Sequence, residues 1–117
     1  MQELFAATMA SVEVNEDSTS VALGDGEEYL ILSRESGREE DWGVHIEYRD
    51  QVNSGYDCID TCACINGKLE VTLRPNVQVG SIPKTFSVGL RISESQMEQV
   101  ESVLPRLLRA RSRALGE

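Results

Sequence analysis

Apolar and polar positions alternate in short bursts along most of this chain, then change period near its end. Residues 4–14 alternate weakly and predict a first strand that closes on Val12 and Val14. Residues 15–20 are a polar turn, and residues 21–23 predict a short strand stopped by Gly24-Asp25-Gly26. Tyr29-Leu30-Ile31-Leu32 is an unbroken apolar run, the pattern of a central strand covered on both faces. Residues 36–41 read as a charged loop. Val44, Ile46 and Tyr48 then alternate with His45, Glu47 and Arg49, which predicts a half-buried strand. Residues 51–56 contain Asn53-Ser54-Gly55 and read as a turn.

The clearest local signal follows. Residues 57–65 and 68–74 flank Asn66-Gly67, and both central positions of a tight type I′ hairpin turn need positive φ, which Asn and Gly tolerate. Leu69, Val71 and Leu73 share one face of the second arm. After a loop over 75–83, Phe86, Val88, Leu90 and Ile92 form the inward face of a last strand. Ser93 then reads as a helix N-cap, with Gln96 completing a capping box. Met97, Val100, Leu104, Leu107 and Leu108 recur at helical spacing. Pro105 removes a backbone donor and crowds the preceding turn, so a kink or break is expected near Leu104, and Gly116 is a plausible terminator. The sum is an α+β domain over residues 1–117. It has one antiparallel sheet of about six strands, connected as a meander, with one C-terminal helix packed on a face.

Composition sharpens this picture at one point only. Of 117 residues, 40% are apolar and 26% charged, ordinary for one globular domain, and 5% are aromatic, so the core must be built mainly of Val, Leu and Ile. The apolar runs are far shorter than the roughly 20 residues that span a bilayer. The opening apolar run lacks a basic flank, so no signal peptide and a cytoplasmic location are expected. Charge is the exception. The chain carries a net −9, yet residues 13–60 hold fourteen acids against Arg34, Arg38 and Arg49. Such a field repels nucleic acid and anionic membrane and draws in cationic proteins. Arg106, Arg109, Arg111 and Arg113 complement the C-terminal end of the helix dipole.

Candidate chemistry is thin. Cys58, Cys62 and Cys64 with Asp60 would share one strand face, but over some 20 Å, too spread for one tetrahedral ion with bonds near 2.3 Å. Three cysteines, an odd number, argue against a disulfide framework, and packed free thiols are the plain reading. No metal or cofactor is expected. His45 beside Glu47 offers the one acid–base pair for a small enzyme, without a second positioned group. Asp25, Glu27 and Glu28 do not match a calcium loop. What remains is Glu39-Glu40-Asp41-Trp42, with Glu47, Asp50, Tyr56 and Asp57. Aromatic anchors ringed by charge are the composition of a protein-binding site. Trp42 and Tyr56 would anchor, and the six carboxylates would steer and pair.

Tyr29-Leu30-Ile31-Leu32-Ser33-Arg34, then Gly43-Val44-His45-Ile46-Glu47-Tyr48 running into Asp50-Gln51 and Gly55-Tyr56, then Leu69-Glu70-Val71-Thr72-Leu73, resembles the Immunity protein 10 family over about residues 28–108. The resemblance implies a small α+β antitoxin of a bacterial polymorphic toxin system, which binds one cognate toxin and blocks it without catalysis. The anionic stretch fits a basic toxin independently. The alternative is a regulatory module that pairs with a second copy through an edge strand or the helix stripe.

Overall fold

The computed structural model describes residues 1–35 and 42–116, with side chains described up to Leu108. Among these lie nine strands and one helix. They are β1 (Gln2–Ala7), β2 (Met9–Val14), β3 (Ser18–Gly24), β4 (Tyr29–Glu35), β5 (His45–Tyr48), β6 (Asp50–Tyr56), β7 (Ile59–Ile65), β8 (Lys68–Leu73), β9 (Thr85–Leu90) and α1 (Glu94–Gly116). The class is α+β, but the strands make two sheets. One is a five-stranded antiparallel meander, β2-β3-β4-β5-β6; the other is four-stranded and mixed, β1-β9-β8-β7, with β1 parallel to β9.

The single strand expected over residues 4–14 is two strands in different sheets, divided at Thr8. The reason lies in two adjacent peptide groups. The Thr8 amide donates to Gly24 O at 2.9 Å, in the five-stranded sheet, while Ala7 O accepts from the Arg91 amide at 2.9 Å, beyond the end of β9. The same device recurs between β6 and β7. The Asp57 amide donates to Val44 O at 3.0 Å, and Cys58 O accepts from the Arg74 amide at 2.8 Å. Asp57 has φ +58, which turns the chain there. Corners of this kind let strands pass between packed sheets.

The inner faces of both sheets make one core. Val21, Leu23, Leu30, Leu32 and Ile46 point in from one side, and Leu69, Val71, Phe86 and Val88 from the other, all essentially inaccessible. Each such side chain contributes about 1.5–3 kcal/mol relative to exposure. Helix α1 lies against β2 and β3 and touches β7, adding Val100, Val103, Leu104 and Leu107 to that core. Arg34 also points inward, 5% exposed, and its Nη1 donates to Leu107 O at 2.6 Å. That bond ties β4 to the helix.

The capping box forms as read. The Gln96 amide donates to Ser93 Oγ at 3.2 Å, and the Ser93 amide to Gln96 Oε1 at 3.4 Å. Asn66 and Gly67 take φ +51 and +74, as the hairpin turn requires. The expected break at Pro105 is absent, and α1 runs through it. Pro105 and Glu101 both lie on the exposed side, where water can satisfy the carbonyl that proline leaves without a donor, while Leu104 and Leu107 hold the inner side.

Residues 51–56 are strand rather than turn, but the strand is irregular. Glu47 pairs with Ser54 and Tyr48 with Asp50, so residues 51–53 bulge out of the ladder. Asn53 folds back from this bulge into the interior, 7% exposed. Its Nδ2 donates to Tyr48 O at 3.1 Å, and its Oδ1 accepts from the Ser81 amide at 2.8 Å and Ser81 Oγ at 3.2 Å. One side chain thus joins the bulge to the 75–83 loop. Gly80 sits against it with φ +52, and a Cβ there would come within 2.1 Å of Asn53 Oδ1. Asn53→Ala is expected to lower unfolding free energy by about 1–3 kcal/mol, and Gly80→Ala by a comparable amount, with unchanged urea m-values. Wild-type midpoints in either variant would remove this clasp from the account.

Candidate functional site

Because α1 packs on the inner side, no element among the described residues covers the outer face of the five-stranded sheet. Cross-strand register sets its composition. The rows are Met9–Gly24–Tyr29, then Ser11–Ala22–Ile31–Glu47–Ser54, then Glu13–Ser20–Ser33–His45–Tyr56. Tyr29 and Ile31 therefore lie half-buried on an open face, where the apolar run had suggested cover on both sides. Only Leu30 and Leu32 of that run are in the core.

At one end of this face three rings meet. Trp42 packs edge-on against Tyr56, with centroids 5.3 Å apart and planes at 83°. His45, directly across from Tyr56 in the ladder, lies 4.6 Å from it. Trp42 and Tyr56 are each 45% exposed, so the cluster offers ring surface to solvent while its members support one another. Beneath it Gly43, buried at φ +80, turns the chain against Asp57, and a Cβ there would sit 3.1 Å from Asp57 Oδ1. Asp57 accepts from Arg74 Nη2 at 3.1 Å, which fixes this corner to the four-stranded sheet.

The anticipated binding residues do not all converge. Trp42, Tyr56 and Asp57 come together, and Glu47 lies on the same face two residues along β5 from His45. Asp50 sits at the other end of β6 and accepts from the Val52 amide at 3.3 Å. Glu39, Glu40 and Asp41 lie outside the described residues. Several carboxylates are also engaged locally. Tyr29 OH donates to Glu47 Oε2 at 2.6 Å, Tyr48 OH donates to Glu28 Oε1, and Arg49 lies 4.0 Å from Glu28. Asp25 Oδ1 accepts from the Glu27 and Glu28 amides at 2.8 and 2.7 Å, and those bonds, Glu28's first, hold its carboxyl below the usual range.

Charge is nevertheless segregated by sheet. Among the described residues from Met9 to Asp57, ten acids stand against Arg34, which is buried, and Arg49. The four-stranded sheet and its loops set Glu3, Asp60 and Glu70 against Lys68, Arg74, Lys84 and Arg91. The sequence did not single out His45 as an aromatic partner, nor the apolar depression formed by Met9, Tyr29 and Ile31 around Ala22 and Gly24. Both depend on which strands lie side by side.

The cysteines do not line one strand face with Asp60. Cys58 precedes β7, is buried, and donates its thiol to Tyr56 O at 3.2 Å. A register shift between Ile59 and Thr61 leaves Asp60 exposed, while Cys62 and Cys64 turn toward α1 beside Glu101, Leu104 and Leu108. All three thiols are free. No group of three or more His, Cys, Asp or Glu among the described residues is placed to hold a metal ion. No helix among them is long and apolar enough to cross a membrane. Comparison with family models, characterised proteins and solved structures finds no match to this chain.

Two expectations follow from this geometry. Trp42 is the one tryptophan, so its fluorescence reports the local field. Relative to each ion's quenching of free tryptophan, caesium should quench it more than iodide at low salt, and the difference should shrink as salt rises; equal normalised quenching at low salt would contradict an anionic face. Burial, then the neighbouring Cys64, pushes the Cys62 thiol from 9.0 up to about 12. Burial and its bond to Glu28 push Tyr48 from 10.0 up to about 12. Both groups fold in the neutral form, so their stabilisation is complete below the unfolded values and is lost as pH rises toward 12. Urea midpoints should fall from about pH 9 upward, and less steeply in Cys62→Ala.

Proposed function

We propose that this chain is a non-enzymatic immunity protein, an antitoxin that takes a basic toxin domain onto the outer face of its acidic sheet and blocks it. The single observation that carries the reading is the Trp42–Tyr56–His45 cluster, part-exposed at one end of an uncovered face in the anionic half of the molecule. Aromatic rings held rigid by their neighbours lose little freedom on binding, so they act as anchors. The surrounding carboxylates act at longer range. Those already bonded to neutral donors within the chain, such as Glu47 and Asp25, contribute field more than new contacts. Steering therefore sets the rate of encounter, and the rings set how long the complex lasts. The same field turns away nucleic acid and anionic lipid. The class of partner, a toxin, comes from the resemblance to Immunity protein 10; the surface comes from the fold. The protein works in the cytoplasm, where its three thiols stay reduced.

The test is to search the reading frames beside its gene for a toxin domain and to co-express the chain with it; no such domain there would count against the reading. Wild type should form a stable complex and restore growth. Trp42→Ala combined with Tyr56→Ala should weaken the complex by about thirtyfold or more, mainly through faster dissociation. Added salt should slow association of both forms. Full protection by the double variant, or no complex with wild type, would overturn the reading.

A further inference from the structure

Two apolar places stand on the outer face of the five-stranded sheet. One is the Trp42–His45–Tyr56 cluster. The other is a shallow depression of about 240 Å³ where Met9, 53% exposed, and half-buried Tyr29 and Ile31 surround Ala22 and Gly24. From Gly24 on β3, at the floor of the depression, to Tyr56 on β6 is two rows along the strands and three strands across them. At ~3.4 Å per residue and ~4.8 Å per strand, the diagonal is roughly 20 Å. Ser20, Ser33 and Ser54 on this face are short, and Glu47, which stands between the two places in the row of Ile31, is held by Tyr29 OH at 2.6 Å. Glu13, Glu35 and Glu47 stand on the same face. Among the described residues its strands present no lysine or arginine there.

A chain segment laid on the face of a sheet, rather than along its edge, finds no free backbone donors or acceptors beneath it. Extended backbone on this floor would leave its own amides and carbonyls short of partners, whereas a helix satisfies them internally. Short floor residues let a helix axis approach to about 10 Å, the usual layer spacing. A span of roughly 20 Å corresponds to nearly four helical turns. Building on the reading that the partner is a basic protein, we infer that the segment it lays across this face is an amphipathic α-helix of about four turns. Its apolar stripe meets the depression at one end and the Trp42–Tyr56 rings at the other, and lysines or arginines on its flanks face the acids.

The probe is a fluorescein-labelled peptide of about 18 residues made of Leu, Ala and Lys, with leucines at i, i+3, i+4 and i+7. Its control has the same composition in an order without that periodicity. Both are titrated against the full chain by anisotropy at low salt, with circular dichroism for helix content. The patterned peptide should bind at least about tenfold tighter, gain helix on binding and alter Trp42 emission. Met9→Arg, at an exposed position, and Ala22→Arg should each weaken it about tenfold while melting as wild type does. Equal binding of both peptides, or binding without gain of helix, overturns the helical occupant and leaves the basic-partner reading intact. Unchanged affinity in Met9→Arg overturns the assignment of the depression. Failure of both peptides to bind, while the neighbouring toxin still does so through Trp42 and Tyr56, overturns the inference alone; failure of the toxin as well overturns both.

Discussion

Adjacent peptide groups at Ala7/Thr8 and at Asp57/Cys58 bond to opposite sheets, and the rest of the molecule depends on those two crossings. They place β1 and β7 in one sheet and β2 to β6 in the other, so the described residues between the crossings become one physical layer. The sequence is acidic over nearly the same interval. A run of charge along the chain thereby becomes a charged face. Without the crossing at Asp57, the carboxylates of 13–57 would be mixed with Lys68, Arg74 and Lys84, and the field would be weaker. Arg74 does reach across to Asp57 at 3.1 Å, but at the corner, where it fastens the layers.

The helix completes this division. A single six-stranded sheet would have needed α1 to cover its one apolar face. Two sheets already cover each other's inner faces, so α1 packs on the inner side of β2 and β3 and beside β7. Buried Arg34 bonding to Leu107 O holds it there. Among the described residues, no element covers the outer side of the acidic sheet, as a result of how the core is closed. The apolar content of that outer side, in Met9, Tyr29, Ile31 and Trp42, has no role in the core that would account for it.

Local chemistry was readable and long-range pairing was not. Asn66-Gly67, the Ser93–Gln96 box and the inward faces of β8 and β9 follow from short-range rules, and all three appear where those rules put them, except that β9 ends at Leu90 and leaves Ile92 outside the strand, partly buried. The parallel pairing of β1 with β9 joins residues more than eighty positions apart, and no turn signal announces it. The bend at Thr8 has no Gly or Pro to mark it. The strand at 50–56 was hidden because its Asn-Ser-Gly motif is a turn signature, used here to build a bulge whose Asn53 serves the interior. Pro105 misled in the other direction, because a proline on the wet side of a well-packed helix need not end it. Of the site, Trp42, Tyr56 and Asp57 were legible as an aromatic and acidic group. His45 joined them only through register, and Asp50 was separated from them by the length of β6.

The acids themselves carry two kinds of duty, and the distinction bears on how binding energy is distributed. Asp25 closes a turn through two amides, Glu28 and Glu47 receive tyrosine hydroxyls, and Asp57 receives Arg74. A partner lysine that reached one of these would find acceptor sites left on the carboxylate, but an exposed ion pair of this kind brings a small net gain. The charge of Asp25 and Glu47, however, is not cancelled by accepting a neutral amide or hydroxyl, and the field they project survives, whereas Arg74 offsets Asp57 and Arg49 lies 4.0 Å from Glu28. An acidic surface built in this way favours fast, loosely specified encounter. On the proposed reading, specific retention would come from exposed apolar area, which on this face belongs to the rings of Trp42 and Tyr56 and the side chain of Met9.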